Sequence, residues 1–584
     1  MKTFAFVCLL AGSLAAQSTT RISLSASGGQ AGNNCFRPSM SADGRYVAFD
    51  SQATDLVAGD TNATGDIFVR DLLLGVTTRA SVDSSGAQAN DFSLECVLSA
   101  DGQHVAFWSN ATNLVPNDTN ATADVFVRDL VNGVTTLASV SSSGVLPNDY
   151  SRPIWITGDG RYVGFYSYAT NLVPNDSNGK SDAFVHDMLT GLTTRVSVSS
   201  SGAEADADCT GCGVSDDGRY ALFYSAASNL VAGDTNGTYD VFLRDLVAGT
   251  TTRISVDSAG AQGNGNSSGY LLAPDAHYAY FSSSSTNLVA GDTNAVDDQF
   301  VRDLFSGTTT RCSLDSLGQQ PDLGAGAEAF TADGRYVVMI SAASNLVPGD
   351  TNGVLDVFVH DRTTAETVRV SVANSGAQGN SHSFNSSISA DGRLIAFSSS
   401  ASNLVTGDTN GFMDIFVRDR GTIAATPFCF GDGTQASACP CANSGASGHG
   451  CENSGGTGGA LLSIGGFADP DSAVLAASGL LPSALTIFLQ GNLELNPGVG
   501  FGDGVRCVGG TLKRLYAKSA AGGMASAPGA GDLALGVQAG LLGDPIGAGT
   551  SRWYQVWYRD SDANFCAAPQ GNLWNVTNGV RVDW

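Results

Sequence analysis

Short apolar runs alternate with polar turn segments along most of the chain. Four such runs succeed one another in residues 92–99, 104–109, 124–130 and 134–140. The Asp101-Gly102 pair between the first two runs predicts a two-residue type I′ hairpin turn, which needs residues that tolerate positive φ. Runs that are apolar at consecutive positions, such as residues 125–127, indicate strands covered on both faces. The pattern therefore predicts four-stranded antiparallel sheets packed between neighbours.

This four-strand unit recurs seven times with a fixed period of 58 residues. The turn aspartate marks each copy, at Asp43, Asp101, Asp159, Asp217, Asp275, Asp333 and Asp391. A fixed period with several short strands per unit is typical of a β-propeller, in which each repeat forms one blade. The two ends of the array are out of phase, because the fourth-strand motif T-T-R-x-S precedes the first turn and is missing after the seventh. We therefore expect residues 19–24 to complete the seventh blade and close the ring, leaving no open sheet edge.

The hairpin motif resembles a known repeat family. Residues 41–49 read S-A-D-G-R-Y-V-A-F, close to the S-P-D-G-x-x-[IVL]-A-F hallmark of TolB-type, WD40-like β-propeller repeats. The resemblance covers residues 19–422 and implies the fold but no activity, since propellers host unrelated functions. TolB itself joins a six-bladed propeller to an N-terminal α/β domain, whereas this chain has seven repeats that follow its first 16 residues directly. This departure argues against a TolB role in envelope maintenance.

The chain ends differ in composition from the repeats. Residues 1–16 carry a positive Lys2 before an apolar stretch, which is typical of a secretory signal peptide. Residues 17–422 are expected to form the propeller. Residues 423–458 are rich in Gly, Ser and Cys and are a linker or the start of a C-terminal module, and residues 459–584 have β-patterned segments. The overall prediction is an all-β protein: a closed seven-bladed propeller of four-stranded blades plus a small C-terminal β-sandwich-like module.

Sequence features of this C-terminal region resemble a module found on other secreted bacterial proteins. The shared pattern is F-C-F-G-D-G…C-P-C…G-H-G-C…Y-Q-V-W-Y-R-D. The resemblance implies no activity, but it agrees with export to the periplasm, the cell surface or the extracellular space. No segment after the signal peptide has the ~20 apolar residues that a membrane-spanning helix needs, so no membrane span is predicted.

Acidic residues outnumber basic ones by 55 to 29, which gives a net charge of −26. Such a surface repels nucleic acid, so we predict a protein or glycan partner and no nucleic acid. Only 14% of residues are charged, while glycine occupies 72 positions. This composition fits a turn-rich β protein better than a helical one.

An acidic loop motif, D-[TS]-N-x-x-x-D, recurs in all seven repeats. Its oxygen-bearing side chains are candidate Ca²⁺ ligands, although the position between the asparagine and the last aspartate follows no ligand pattern. The alternative is that these residues cap a tight turn through hydrogen bonds to the local backbone. If the residues only cap a turn, the protein requires no cofactor. If they bind a metal, the predicted cofactor is calcium. The candidates are Asp60, Asn62, Asp66, Asp118, Asn120, Asp124, Asp176, Asn178, Asp182, Asp234, Asn236, Asp240, Asp292, Asn294, Asp298, Asp350, Asn352, Asp356, Asp408, Asn410 and Asp414.

The repeats differ most informatively seven residues after the turn aspartate. Three adjacent repeats carry an aromatic residue there, and two more aromatic residues lie nearby. Aromatic side chains on one side of a ring stack on sugars or anchor a protein partner, and the alternative is that they fill gaps between blades. The binding candidates are Trp108, Trp155, Tyr166, Tyr168 and Tyr224.

Cysteines of an exported protein are expected to form disulfides. Cys35 and Cys96 fall in the innermost strands of adjacent repeats and are one candidate pair. Cys209 and Cys212 form a second, local pair, or else a Cys-x-x-Cys metal or redox site. The C-terminal region is expected to be held by disulfides formed from an even set of six cysteines, with Cys507 and Cys566 as candidates for one bridge. The other four of this set are Cys429, Cys439, Cys441 and Cys451.

The sequence contains no H-E-x-x-H motif, and we nominate no catalytic residue from it. Equal repeats without inserted loops favour an exported, non-enzymatic propeller scaffold for protein or glycan binding at the cell surface or in the envelope, because catalysis needs unlike residues brought together. One alternative is a propeller hydrolase or carbohydrate-active enzyme that uses carboxylates at one mouth of the channel. The other is a calcium-stabilised structural surface protein.

Overall fold

The computed structural model describes residues 17–421, 424–434, 437–466, 473–529, 531–547, 550–560, 562, 565 and 573–584. The signal peptide predicted in residues 1–16 lies outside these described residues. The chain divides into two compact units. The seven-sheet unit contains residues 18–362 and 367–419, and the C-terminal unit contains residues 420–584.

Each 58-residue repeat forms one four-stranded antiparallel sheet, as predicted. We number these sheets 1 to 7 and their strands first to fourth. Sheet 1 has Cys35–Met40, Tyr46–Ser51, Asp66–Asp71 and Val76–Arg79; sheet 2 has Ser93–Leu98, His104–Ser109, Asp124–Asp129 and Val134–Leu137; sheet 3 has Ser151–Ile156, Tyr162–Ser167, Asp182–Asp187 and Leu192–Arg195; sheet 4 has Cys209–Val214, Tyr220–Ser225, Asp240–Asp245 and Thr250–Arg253. Sheet 5 has Ser267–Leu272, Tyr278–Ser283, Asp298–Asp303 and Thr308–Arg311; sheet 6 has Ala325–Phe330, Tyr336–Ser341, Asp356–Asp361 and Glu366–Arg369; sheet 7 has Ser383–Ile388, Leu394–Ser399, Asp414–Asp419 and, as its fourth strand, Ser18–Arg21.

The fourth strand of sheet 7 comes from the N-terminal end of the described chain. Ser18–Arg21 pairs antiparallel with the third strand, with Ser18 opposite Asp419. The Thr19 hydroxyl donates to the Val372 carbonyl oxygen in sheet 6 at 2.5 Å. The equivalent Thr135 hydroxyl of sheet 2 donates to the Val82 carbonyl oxygen in sheet 1. The predicted pairing of the N-terminal strand is therefore confirmed.

Apolar side chains form separate clusters between consecutive sheets. One cluster joins sheets 1 and 2 through side chains such as Val69 and Phe107. Another joins sheets 7 and 1 through Val417 and Phe49. Backbone links repeat in the same way, since the Ala390 N–H donates to the Ala42 carbonyl oxygen, and the Ala42 N–H donates to the Ala100 carbonyl oxygen, both at 2.8 Å. The last sheet is thus joined to the first as the first is joined to the second.

The Asp-Gly hairpin turns are not the predicted type I′. In the first turn only Gly44 of the pair has positive φ, at 71°. The Gly44 N–H donates to the Ser41 carbonyl oxygen at 2.9 Å, and the Asp43 carboxylate accepts from the Ser41 hydroxyl and the Arg45 N–H. This arrangement is a β-turn over residues 41–44 within a four-residue hairpin loop, residues 42–45. Its glycine lies in the left-handed region, as a glycine does in a type I′ turn.

The described residues of the C-terminal unit form three sheets and one short helix, Leu535–Leu541. Strand Ala424–Phe428 pairs with Gly579–Asp583, so residues 424–428 belong to the C-terminal module and not to a linker. The six-stranded sheet contains Ala424–Phe428, Gly579–Asp583, Ser551–Arg559, Leu485–Gly491, Lys513–Ser519 and Trp574–Val576; the three-stranded sheet contains Leu461–Gly465, Val474–Ser478 and Ala525–Ala527; the two-stranded sheet contains Leu493–Phe501 and Gly504–Gly509. One apolar cluster includes side chains of both larger sheets, such as Leu475 and Phe488.

Disulfides are present in this unit, as predicted. Cys429 bonds Cys507, and Cys439 bonds Cys451. Cys441 is disulfide-bonded as well, and Cys566 lies outside the described residues. The proposed bridge between Cys507 and Cys566 was wrong, because Cys507 is already bonded to a cysteine 78 residues earlier in the chain.

The disulfides predicted in the repeats were also wrong. Cys35, Cys96, Cys209 and Cys212 are buried free thiols. The Cys35 sulfur faces the Ser51 hydroxyl at 3.3 Å, whereas the Cys96 sulfur faces the Arg37 carbonyl oxygen at 4.0 Å. Burial raises the pKa of the Cys35 and Cys209 thiols to about 12. These cysteines therefore act as small apolar core residues and are unreactive as thiols.

Candidate ligand-binding site

A cavity of about 550 Å³ is lined by residues from the first strands of all seven sheets. A volume in the hundreds of cubic ångströms is typical of pockets for small ligands. Sheets 1 to 7 each contribute to the wall, for example through Arg37, Glu95, Arg152, Thr210, Tyr270, Glu328 and Asn385.

A β-bulge in each first strand shapes this wall. The register between the first and second strands shifts in all seven sheets, between Phe36 and Ser39 in sheet 1 and at matching positions elsewhere. Three non-glycine residues at the bulges have positive φ: Arg37 and Glu95 at 51°, and Asn385 at 47°. Such backbone costs free energy and is concentrated at functional sites, where a bulge re-aims a side chain. Here it accompanies side chains that line the cavity.

Charged side chains from three adjacent sheets form one network at the cavity wall. Glu95 of sheet 2 lies between two guanidinium groups, 3.3 Å from Arg37 Nη2 and 2.9 Å from Arg152 Nε. A second Arg152 nitrogen also contacts the Glu95 carboxylate, which makes this pair bidentate. The Asp50 carboxylate is 3.8 Å from Arg37. Bidentate contacts of this kind fix the geometry of both groups.

Two carboxyl groups near the cavity have strongly raised pKa values. Burial raises the pKa of Asp50, which is 1% exposed, to about 7, although Arg37 acts in the opposite direction. Burial also raises the pKa of Glu328 to about 7, although its carboxylate accepts a hydrogen bond from the Ser386 N–H at 2.6 Å. A pKa near neutral is a feature found often at functional sites.

Four of the five predicted aromatic residues line the cavity or contact a residue that lines it. Trp155, Tyr166 and Tyr224 line the cavity. The Arg152 guanidinium lies 5.7 Å from the Trp108 ring and 5.9 Å from the Tyr166 ring, within the range of cation–π attraction. All four side chains are half-buried.

The aromatic residues also pack against their neighbours. Trp108 makes an edge-on contact with Phe92 at 5.3 Å, as the packing alternative predicts. The fifth predicted residue, Tyr168, packs against Tyr150 at 5.1 Å and does not line the cavity.

Several buried polar atoms at the wall make no hydrogen bond to a described part of the protein. They include the indole N–H of Trp155, the hydroxyls of Ser386 and Ser387, and one Asp50 oxygen. An unsatisfied buried polar group costs about 1–3 kcal/mol, so such groups are often completed by a ligand or water. The site can therefore donate and accept hydrogen bonds as well as stack.

Sequence reasoning missed the charged part of this site. Arg37, Glu95, Arg152 and Glu328 were not predicted as site residues, although each lies five to seven residues before a turn aspartate. The signal that could have found them is the departure of single repeats from one another at these positions. Four of the seven copies carry a charged residue there, at differing positions and with differing sign, so these residues serve no requirement shared by every repeat.

The acidic loops lie away from the cavity, and in six of them an arginine contacts both aspartates. Arg253, for example, has Nη1 3.3 Å from Asp234 and 3.1 Å from Asp240. The same contacts involve Arg21, Arg79, Arg195, Arg311 and Arg369 in sheets 7, 1, 3, 5 and 6. The calcium prediction stays a prediction, and in these six loops a guanidinium competes for the same carboxylates.

In six of the seven loops the asparagine side-chain oxygen accepts from the backbone N–H two residues later, as the turn alternative predicts. The Asn236 amide donates to the Gly263 carbonyl oxygen and accepts from the Thr238 N–H. Within the described ranges, no group of three or more His, Cys, Asp and Glu side chains is arranged to hold a metal. No helix of the described chain is long and apolar enough to cross a membrane.

Comparisons with known proteins give distant structural likenesses. No protein-family model matches the chain, and no curated protein matches it. A structure described as TolB from Agrobacterium tumefaciens is 15% identical, with a TM-score of 0.30 over 48% of this chain and 80% of that one. The β-propeller domain of the Trilobed protease from Pyrococcus furiosus is 10% identical, with a TM-score of 0.40 over 66% of this chain and 95% of that one. Two prolyl endopeptidases are represented by a structure that is 12% identical, with a TM-score of 0.39 over 79% of this chain and 56% of that one.

Proposed function

We propose that this protein is an exported glycan-binding scaffold whose site is the cavity between the first strands. The observation that carries the proposal is the group formed by Glu95, Arg152, Trp108 and Tyr166, in which a bidentate ion pair lies beside two aromatic rings. Sugar rings present an apolar face that stacks on aromatic side chains and hydroxyls that bond to charged and polar groups. The group is confined to a few sheets, as selective recognition requires.

The dimensions of the cavity favour a glycan over a folded protein partner. A volume of about 550 Å³ holds a short oligosaccharide segment, whereas a stable protein interface covers about 800 Å² on each partner. The unpartnered donors and acceptors at Trp155 and Ser386 match a ligand rich in hydroxyls. A protein partner remains the alternative outcome of the binding experiment.

We further infer that the seven sheets are blades of a closed propeller and that the cavity is its axial channel. The pairing of Ser18–Arg21 with sheet 7 and the apolar cluster between sheets 7 and 1 support closure. The wall of the cavity supports the same inference, since all seven first strands contribute to it. Export follows from the predicted signal peptide and agrees with the disulfides of the C-terminal unit.

Binding is tested by isothermal titration of the full exported chain with soluble neutral oligosaccharides chosen from an array screen. We expect Arg152→Gln and Trp155→Ala each to weaken binding at least about tenfold, equivalent to ~1.4 kcal/mol. Arg161→Gln is the matched control, because Arg161 is in the same repeat and has a similar ion pair and ring contact but does not line the cavity. Unchanged affinity in both cavity variants, or no glycan bound in the screen, would exclude this site or this ligand class.

A propeller hydrolase is the second candidate, and Glu328 favours it. Glu328 lines the cavity and its carboxyl group has a pKa of about 7, whereas Glu95 on the same wall is paired with arginines; glycoside hydrolysis uses two carboxyl groups with such unequal environments. In that case Glu328→Gln abolishes the release of reducing ends from the bound glycan and leaves its affinity within about twofold. Binding without any release of reducing ends by the wild type assigns the site to recognition alone.

A further inference from the structure

Sheet 2 departs from the arrangement of the other acidic loops. Its aspartates, Asp118 and Asp124, occupy the same repeat positions as Asp234 and Asp240. The arginine that contacts both aspartates in the other six sheets is replaced by Leu137. The residue nine positions later is Gln or Glu in those six sheets, and here it is Leu146. Both side chains that meet the carboxylates elsewhere are therefore apolar in sheet 2.

The two carboxylates of sheet 2 are nonetheless buried. Asp118 is 8% exposed and Asp124 is fully buried. Asp124 accepts hydrogen bonds from the Ser139 hydroxyl and the Asn120 amide, both at 2.9 Å. Asp118 Oδ1 has no hydrogen-bond partner within the described chain, and no ion pair among the described residues reaches either aspartate. Burying two carboxylates together without a counter-charge is unfavourable, since each loses hydration and repels the other.

We propose that Asp118 and Asp124 bind one divalent cation of the calcium class, which takes the role that a guanidinium has in the other six sheets. A divalent charge balances two carboxylates. The Thr122 hydroxyl, buried and without a described partner, adds an oxygen ligand, and water completes the six to eight oxygens that Ca²⁺ prefers. With only two carboxylates the affinity falls in the range of weak extracellular sites, with a Kd of about 10⁻⁴–10⁻³ M.

The alternative neutralising group is a proton. Burial and the neighbouring Asp118 raise the pKa of Asp124 to about 7, so near neutral pH a proton competes with the cation. The two explanations differ in what they predict for calcium. A bound proton leaves stability independent of calcium, whereas a cation site makes the chain bind one calcium ion more than a variant in which the site is filled by arginine.

The experiment counts calcium ions bound to the full chain by isothermal titration at neutral pH and constant ionic strength. Leu137→Arg supplies the guanidinium found in the other sheets, and it should lower the number of bound ions by one. Leu137→Met is the matched control and should leave that number unchanged. The reciprocal double variant R253L/Q262L reproduces sheet 2 within sheet 4 and should raise the number by one. Because only differences between variants are compared, calcium bound elsewhere in the chain does not affect the conclusion.

Equal numbers of bound ions in the wild type and Leu137→Arg would overturn the proposal. So would a wild type whose stability near neutral pH does not respond to millimolar calcium but rises in Leu137→Arg, because this result assigns the pair to a proton. If Leu137→Arg does not fold, the isosteric pair D118N/D124N replaces it. It should likewise bind one ion fewer, and an unchanged number would exclude the site.

Discussion

The seven-sheet unit and the C-terminal unit use cysteine in opposite ways. The described residues of the seven-sheet unit include five cysteines, all buried and all free. The C-terminal unit has the disulfides Cys429–Cys507 and Cys439–Cys451. Both units belong to one chain, so the difference reflects local geometry and not the redox conditions of folding.

The difference shows two ways of stabilising β-sheets. In the seven-sheet unit every sheet has neighbours built to the same plan, so apolar clusters and hydrogen bonds between sheets recur along the array. In the described part of the C-terminal unit the sheets are unequal, with six, three and two strands. Cross-links there restrict the unfolded chain and thereby add stability.

The largest expected effect comes from removing the N-terminal strand. A chain that begins after residue 24 leaves the third strand of sheet 7 unpaired and exposes the cluster that includes Ile22. We expect the seven-sheet unit to unfold about 10 °C or more below a chain that begins at Gln17, or to aggregate. Calorimetry that resolves both units checks this, and the C-terminal transition is the internal control. Equal unfolding temperatures of the two chains would contradict the proposed closure of the array.

Loss of a disulfide should affect only the other unit. Cys429 and Cys507 close a loop of 78 residues, for which the chain-entropy relation gives about 4–5 kcal/mol. We expect C429S/C507S to destabilise the C-terminal unit by about this amount, whereas Cys312→Ala in the seven-sheet unit costs about 1 kcal/mol. Thiol counting by mass spectrometry on unreduced protein that lacks residues 1–16 should find five free thiols. Destabilisation of the seven-sheet unit by reducing agent would contradict the comparison.

The buried Asp50 should make the stability of the seven-sheet unit depend on pH. Its pKa is about 7 in the folded state and 3.8 in the unfolded reference, so the folded state binds the proton more tightly. Stability therefore falls as pH rises from about 4 to about 7. We expect Asp50→Asn to raise the stability of this unit by about 1–4 kcal/mol above pH 7 and to have no such effect near pH 4.

Asp50→Ser is a natural control for this substitution, because sheets 5 and 7 have Ser282 and Ser398 at this position. Denaturant titrations at several pH values measure the effect for both variants. A pH profile unchanged by either substitution would show that Asp50 remains ionised and is well solvated or paired.

The smallest expected effect concerns one hydrogen bond between sheets. The Thr135 hydroxyl donates to the Val82 carbonyl oxygen at 2.5 Å in a buried position. Thr135→Val keeps the shape of the side chain and removes the donor, so we expect a loss of about 1–2 kcal/mol in the seven-sheet unit. Thr136→Val changes the exposed neighbour and should change stability by less than about 0.5 kcal/mol. Equal effects of the two substitutions would show that contacts between sheets contribute little.

The repeat made most of the sheet structure predictable. Strands such as His104–Ser109 were predicted at their observed bounds, and the phase of the T-T-R-x-S motif predicted the partner of the N-terminal strand. The turn type was not predictable, because an Asp-Gly pair serves both a type I′ turn and the observed turn with a single positive φ at Gly44. The predicted cysteine pairs were wrong because two cysteines on adjacent strands need not point toward each other when a bulge lies beside them.

The cluster of charged residues at the cavity could not be predicted from the sequence. Arg37, Glu95 and Arg152 are each about one repeat apart along the chain. They meet only because three consecutive sheets pack side by side and each first strand bulges. Likewise, Arg79 comes 13 residues after Asp66, outside the loop motif, and reaches it through pairing of the third and fourth strands. The loop motif alone therefore could not reveal that an arginine from another strand contacts the aspartates predicted to bind calcium.

The sequence by itself determined the strands, their grouping into seven four-stranded sheets and the origin of the last strand, because hydrophobic period, turn residues and repeat phase are local properties read along the chain. Only the tertiary structure decided which cysteines are bonded, which carboxylates have an arginine and which side chains line the cavity. Those outcomes depend on the distances between side chains of different sheets and on where the side chains point. For residues 58 positions apart in the chain, these are fixed only when the sheets pack.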